Sequence, residues 1–160
     1  MIEAAWKTGA RESELAFGRR TQVDHARKQL TVVGKRNKLR VIDLDGWGYE
    51  TFKSLPASIG GAYLFWHHQG EPYRTVAGRF RTIVESVRKQ AQKQEQDFRP
   101  FRFHDLRHRH AVDWLKSGRS IYDLKHRLGH TSVKTTEIYL QYLTPEEARI
   151  AMQTGTKAGT

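Results

Sequence analysis

Chemistry at a phosphodiester has definite requirements. It needs a nucleophile, cations to hold the charge of the transition state, and an acid for the departing oxygen. Without a metal, arginine serves best for the charge, because its guanidinium is planar, permanently ionised and bidentate toward phosphate oxygens. This sequence offers residues of those types in a suggestive order. His104 and Arg107 lie three apart in His104-Asp105-Leu106-Arg107-His108 and would share one face of a helix. Leu128-Gly129-His130 follows, and Tyr139 lies nine residues beyond His130. Upstream, Arg11 stands just past Gly9, and Lys35 sits in the polar run Gly34-Lys35-Arg36-Asn37-Lys38.

Taken singly, each of these residues has a plainer reading. Arg11 is a solvated arginine, with Glu14 bracing it or its helix. Lys35 is a turn lysine, and Tyr139 a packed aromatic with a satisfied hydroxyl, beside a decoy of the same type in Tyr142. The histidines also permit a metal reading. His104 and His108, and again His126 and His130, have the i, i+4 spacing of a zinc-hydrolase helix. Against a metal-dependent phosphohydrolase, Asp105 stands where the zincin pattern wants Glu, and no obvious further carboxylate ligand lies close by. On that view His108, His110 and His126 are structural or DNA-facing, and His67 and His68 lie at the surface. A catalytically silent, basic DNA-binding module is the other alternative.

The elements that must position these residues are legible from periodicity. Residues 1–18 carry two short helical stretches broken at Gly9. Gln29–Val33 and Leu39–Leu44 are β-prone runs flanking a polar turn, which predicts a hairpin, with a third short strand near Gln22–His25. From Trp47 onward the pattern turns helical. Val76, Phe80, Ile83, Val84, Val87 and Ala91 recur at three-to-four spacing and predict an amphipathic helix over 74–95, whose other face carries Arg79, Arg81, Arg88, Lys89 and Lys93. A helix begins near His104 and ends before Gly118. Ser120 has capping-box spacing to Asp123, and Thr144 and Pro145 open a last helix with proline at its first position. The small polar end, Thr154–Thr160, is expected to fray.

Composition narrows the partner. The chain has 160 residues, 38% hydrophobic, enough for one domain with a core. Its 28 Lys+Arg against 17 Asp+Glu give a formal net charge of +11, which favours an anionic partner, nucleic acid first. The absence of cysteine excludes disulfides and thiolate metal sites. No apolar run approaches the length of a membrane span and no signal pattern opens the chain, so a cytoplasmic protein is expected.

Five motifs together resemble the tyrosine recombinases, or phage-type integrases. That family carries an arginine in a TGxRxSEL setting, here Gly9-Ala10-Arg11-Glu12-Ser13-Glu14-Leu15. It carries a lysine in a β-turn of GKxNK type, here Gly34–Lys38, then HxLRH at His104–His108, LGH at Leu128–His130, and TTxxY at Thr135–Tyr139. All occur in the family's order and spacing, over roughly residues 5 to 150. The resemblance implies a mostly helical α+β catalytic domain, residues 1–153, with a small antiparallel three-stranded sheet near its N-terminal end. Residues 154–160 would be a flexible tail, and the family's N-terminal core-binding domain would be absent.

The resemblance also implies roles. Tyr139 would attack the scissile phosphate and leave a 3′-phosphotyrosyl link. Arg11 and Arg107 would clamp the non-bridging oxygens, and His130 would donate a hydrogen bond to the phosphoryl group. Lys35, with Lys38 as its alternative, would protonate the leaving 5′ oxygen. His104 would assist proton transfer at the tyrosine. No metal or other cofactor would be needed. The partner would be double-stranded DNA, bound by a homotetramer on two sites, with a monomer expected in isolation. A bacterial or phage-encoded, nucleoid-associated integrase of a mobile element is the expected setting. Type IB topoisomerases share this chemistry and much of the site, and the LGH and TTxxY context favours a recombinase.

Overall fold

The computed structural model describes residues 1–34, 37–56, 61–68 and 70–153. The chain opens with helices α1 (Ile2–Thr8) and α2 (Glu12–Ala16). Gly9 separates them at φ 66, capping α1 in the left-handed region that glycine occupies without strain. A Cβ there would lie 2.5 Å from the His110 ring and 2.9 Å from Leu128, so the turn also brings α1 close to two later helices. A 3-10 turn (Arg20–Gln22) leads into β1 (Val23–Asp24), β2 (Gln29–Val33) and β3 (Leu39–Asp43). They form an antiparallel sheet in the order β1-β2-β3, with Val33 opposite Leu39 and Leu30 opposite Ile42. The expected hairpin and third strand are both present.

Past the sheet, the helical pattern expected from Trp47 onward is interrupted. Helix α3 (Gly46–Lys53) is followed by a two-stranded ribbon of β4 (Trp66–His67) and β5 (Glu71–Pro72). Two residues per strand are too few to produce a period-2 signature. The amphipathic helix is α4 (Val76–Lys93), burying Val76, Phe80, Val84 and Ala91. Ile83 and Val87, expected on that buried face, are exposed. Ile83 borders an open groove of about 840 Å³ shared with Ile2, Leu55 and Phe80, and no element covers it among the described residues.

The C-terminal half is helical: α5 (Asp105–Lys116), α6 (Ile121–Leu128), α7 (Lys134–Glu137), a 3-10 turn (Leu140–Tyr142) and α8 (Pro145–Met152). Ser120 does cap α6, accepting the Tyr122 N–H at 3.1 Å, but Asp123 does not complete a box. Thr144 and Glu147 form a reciprocal box around Pro145 at the head of α8. Residues 154–160, expected to fray, lie outside the described residues.

Buried apolar side chains fall into two clusters. One joins α1, α2, the sheet, α3 and α4 through Leu15, Leu30, Ile42, Phe52 and Phe80. The other joins α5 to α8 through Ala111, Leu115, Ile121, Leu124, Leu128 and Tyr139. The seam between them is polar, and the candidate site lies there.

Candidate active site at the seam of two cores

Three arginines hold the seam together. Arg107, on α5 and only 3% exposed, donates from Nη1 to the Gly9 carbonyl and from Nη2 to the Leu128 carbonyl, each at 2.6 Å. Its Nη2 also lies 3.2 Å from His130 Nε2. Arg127, on α6, donates to the carbonyls of Asp43 and Lys7 and, from Nε at 3.0 Å, to His110 Nε2. Arg40, on β3, donates from Nε to the Arg127 carbonyl and grips both oxygens of Glu14 at 2.6 and 2.8 Å. Each links elements of one cluster to elements of the other.

Glu14 is the buried anion of this network. Its carboxylate accepts from the Arg11 backbone N–H at 2.7 Å and from Arg11 Nη1 at 3.0 Å, in addition to Arg40. Burial alone would raise its pKa, but hydrogen bonds and charge from Arg40 and Arg11 outweigh burial and hold the carboxyl below its ordinary value. Arg11, at the N-cap of α2, is thereby aimed into the seam with its side chain about one-third exposed.

Arg107 has no carboxylate partner among the described residues. Burial first, then the neighbouring charges of Arg11 and Arg40, lower its pKa to about 10 against the pull of Glu14. It still carries its charge at neutral pH. A buried cation whose hydrogen bonds go to neutral carbonyls is poorly compensated, and the missing compensation is what an entering anion would supply.

His130 follows Gly129, which caps α6 at φ 67. A side chain on Gly129 would come within 3.1 Å of Arg40 Cδ, so glycine allows the arginine to pass. Burial and then the charges of Arg107, Arg11 and Arg40 depress the His130 pKa to about 4. The imidazole is therefore neutral at pH 7. Its Nδ1 lies 2.9 Å from the hydroxyl of Thr136, which is fully buried on α7.

Tyr139 is only 2% exposed and packs with the second apolar cluster. Burial raises its phenol pKa, against an opposing pull from Arg107. The ring in contact with it is that of His108, at a centroid distance of 5.5 Å, and His108 in turn meets His104 edge-on at 4.8 Å. His104 is exposed, and partial desolvation of its ring, then His108 and Arg107, lower its pKa. Tyr142 is 57% exposed and outside the packed group.

The fold thus gathers Arg11, Arg107, His130, His104 and Tyr139 around one seam. Lys35 lies outside the described residues. Lys38 is exposed and shares with Arg11, Arg40, Gly129 and His130 the lining of an open groove of about 1300 Å³. The zinc reading gains nothing from the structure: among the described residues no three His, Asp or Glu side chains are grouped to hold a metal ion.

Sequence reasoning missed Arg40, Arg127 and Thr136, and placed His110 no more closely than structural or DNA-facing. Three left a readable trace. Arg40 shares a strand face with Ile42, the buried one. Arg127 falls on the apolar stripe of Ile121, Leu124 and Leu128. His110 follows Arg107 by one turn on the buried face of α5. Polar residues at core positions mark a built network. Thr136 gave no such signal, because threonine is common on buried and exposed faces alike.

Comparison with known proteins agrees with this geometry. The sequence pattern of the phage integrase family matches residues 1–145. The tyrosine recombinase XerC of Roseiflexus castenholzii is 30% identical over 149 residues, covering 87% of this chain and 45% of that protein. The chain spans about half the length of the curated relatives it matches. In fold it is similar to the Tn1549 transposon integrase in complex with circular intermediate DNA, with a TM-score of 0.76, 20% identity, and coverage of 94% of this chain and 57% of that one. It is similar as well to the XerA recombinase, with a TM-score of 0.68, 25% identity, and coverage of 92% and 58%. The chain belongs to the phage integrase family.

Proposed function

We propose that this chain is the catalytic part of a site-specific recombinase that cleaves and rejoins double-stranded DNA through a phosphotyrosine. The observation that carries the reading is Arg107, a buried guanidinium without an anionic partner among the described residues, beside Arg11, His130 and Tyr139. A phosphodiester seated there would receive N–H bonds from Arg11 and Arg107 on its non-bridging oxygens. These bonds strengthen as charge builds up during attack. His130 would add a third donor.

Tyr139 Oη would attack phosphorus, and its proton would pass toward the imidazole of His104, with the His108 ring lying between them. The phosphorus–O5′ bond breaks, Lys35 returns a proton to O5′, and a 3′-phosphotyrosyl ester remains. Attack by a 5′ hydroxyl reverses the sequence, so the bond energy is retained and no nucleotide cofactor is required. DNA as substrate is supported by the net charge of +11 and by the structural neighbour solved in complex with DNA. Residues 1–153 form the catalytic domain in this reading. Four copies act on two DNA sites, while the isolated chain is a monomer.

The test is a trapping assay. A pool of nicked suicide duplexes is incubated with the protein in EDTA at low salt. Wild type should give a denaturant-resistant protein–DNA band that Tyr139→Phe lacks while still binding DNA. DNA binding without a band, also after addition of a family N-terminal DNA-gripping domain, would leave a silent DNA-binding module.

A further inference from the structure

His130 poses a problem that Thr136 solves. As a neutral imidazole it carries one N–H. Arginine can only donate, so the 3.2 Å contact with Arg107 Nη2 makes Nε2 an acceptor. The N–H is then on Nδ1, donating to Thr136 Oγ1 at 2.9 Å. In that state the ring offers a lone pair, not a proton, toward the arginine side of the site. A phosphoryl oxygen needs the opposite.

We infer that Thr136 is a positioning residue for strand transfer, its hydroxyl supporting both ring tautomers of His130: Nδ1–H while Nε2 faces Arg107, and Nε2–H once a phosphoryl oxygen takes over the Arg107 N–H. A hydroxyl is suited to this because it both donates and accepts. A backbone carbonyl at that position would lock the proton on Nδ1, and a backbone N–H would lock it on Nε2. In the exchange Nδ1 releases one proton and Nε2 gains one, through solvent water at this half-buried ring, and the charge of the ring is unchanged. Thr136 O⁠γ1 then rotates its own hydrogen to donate into the Nδ1 lone pair.

Two further features fit. The groups facing the ring are Arg107 of α5, Arg11 of the α1–α2 turn, Arg40 of β3 and His104; with burial they keep it neutral at pH 7, so the two tautomers, rather than imidazolium, are the states in play. Thr136 also accepts the Tyr139 backbone N–H through its carbonyl at 3.1 Å. The residue that holds the imidazole therefore also anchors the turn carrying the tyrosine.

The inference rests on the strand-transfer reading above, and its test separates the two. In single-turnover cleavage of the nicked duplex pool, Thr136→Val should slow adduct formation about 10-fold or more, the usual scale for losing the group that orients a working imidazole. DNA retention should be unchanged, and Thr136→Ser should recover the rate to within about threefold. Cleavage by Thr136→Val at the wild-type rate would overturn the inference, as would a folded Thr136→Ser no faster than Thr136→Val. Independently, ¹⁵N spectra of the histidine rings should show His130 protonated at Nδ1 in free Tyr139→Phe protein and at Nε2 when that variant is saturated with the duplex pool. An identical ring pattern in both states would overturn it. This last readout needs neither cleavage nor a Thr136 variant, so it tests the tautomer exchange separately from the strand-transfer reading.

Discussion

At the scale of single residues, the site is defined by where charge is left uncompensated. Glu14 neutralises Arg40 and part of Arg11, and nothing among the described residues neutralises Arg107. Arg107→Lys should therefore lower cleavage about 10²-fold or more, since one ammonium cannot serve two carbonyls and a phosphate at once. Single-turnover adduct formation measures this, and a wild-type rate would show that Arg107 does not clamp the phosphate. The buried imidazoles make a second prediction. His110 is held near pKa 3 by burial and by Arg127, and His130 near 4, both below the ordinary 6.5. The folded state thus binds fewer protons than the unfolded chain. Stability is complete above about pH 6.5 and declines as pH falls from there toward 3, by up to about 1.4 kcal/mol per pH unit for His110 and by less for the half-buried, solvent-screened His130. Urea unfolding at pH 7 and pH 5 should show the loss, and His110→Gln, which keeps an acceptor for Arg127 but cannot titrate, should flatten it.

At the scale of elements, two left-handed glycines and one carboxylate fix how helices and sheet meet. Gly9→Ala places a Cβ against His110 and Leu128 at positive φ. It should cost about 2 kcal/mol or more, combining backbone strain with overpacking. Glu14→Gln removes the anion between Arg11 and Arg40 and should cost about 3–5 kcal/mol, the scale for breaking a buried pair. Chemical denaturation checks both, and an unchanged midpoint in either variant would contradict the seam described here. This scale also shows what periodicity can and cannot convey. The hairpin, the helix from Asp105 and the proline-led α8 were legible because each satisfies a local rule of alternation or capping. The β4–β5 ribbon was not, with only two residues per strand. Nor was the exposure of Ile83 and Val87, which depends on what fails to pack above them rather than on their own spacing. The motif residues of the site could be read as a linear order. The partners of their supports could not, because Arg40 and Arg127 act through residues as far as 120 positions away, as Arg127 and Lys7 show.

At the scale of the whole molecule, two apolar clusters meet across an arginine-laced seam, and the seam is where the family's motifs converge. That arrangement explains why the site can be rigid and still hold excess positive charge: the backbone carbonyls of both halves satisfy the guanidinium hydrogens without cancelling the charge. With a net charge of +11, DNA affinity should fall steeply and linearly in log–log form with salt. The measurement that bears most directly on the central claim is the chemical identity of the DNA adduct. Protein trapped on nicked duplex would be digested with nuclease and protease, and the modified peptide sequenced by mass spectrometry. A phosphodeoxynucleotide ester on Tyr139 is the predicted result. An adduct on Tyr142 or any other residue would contradict the account.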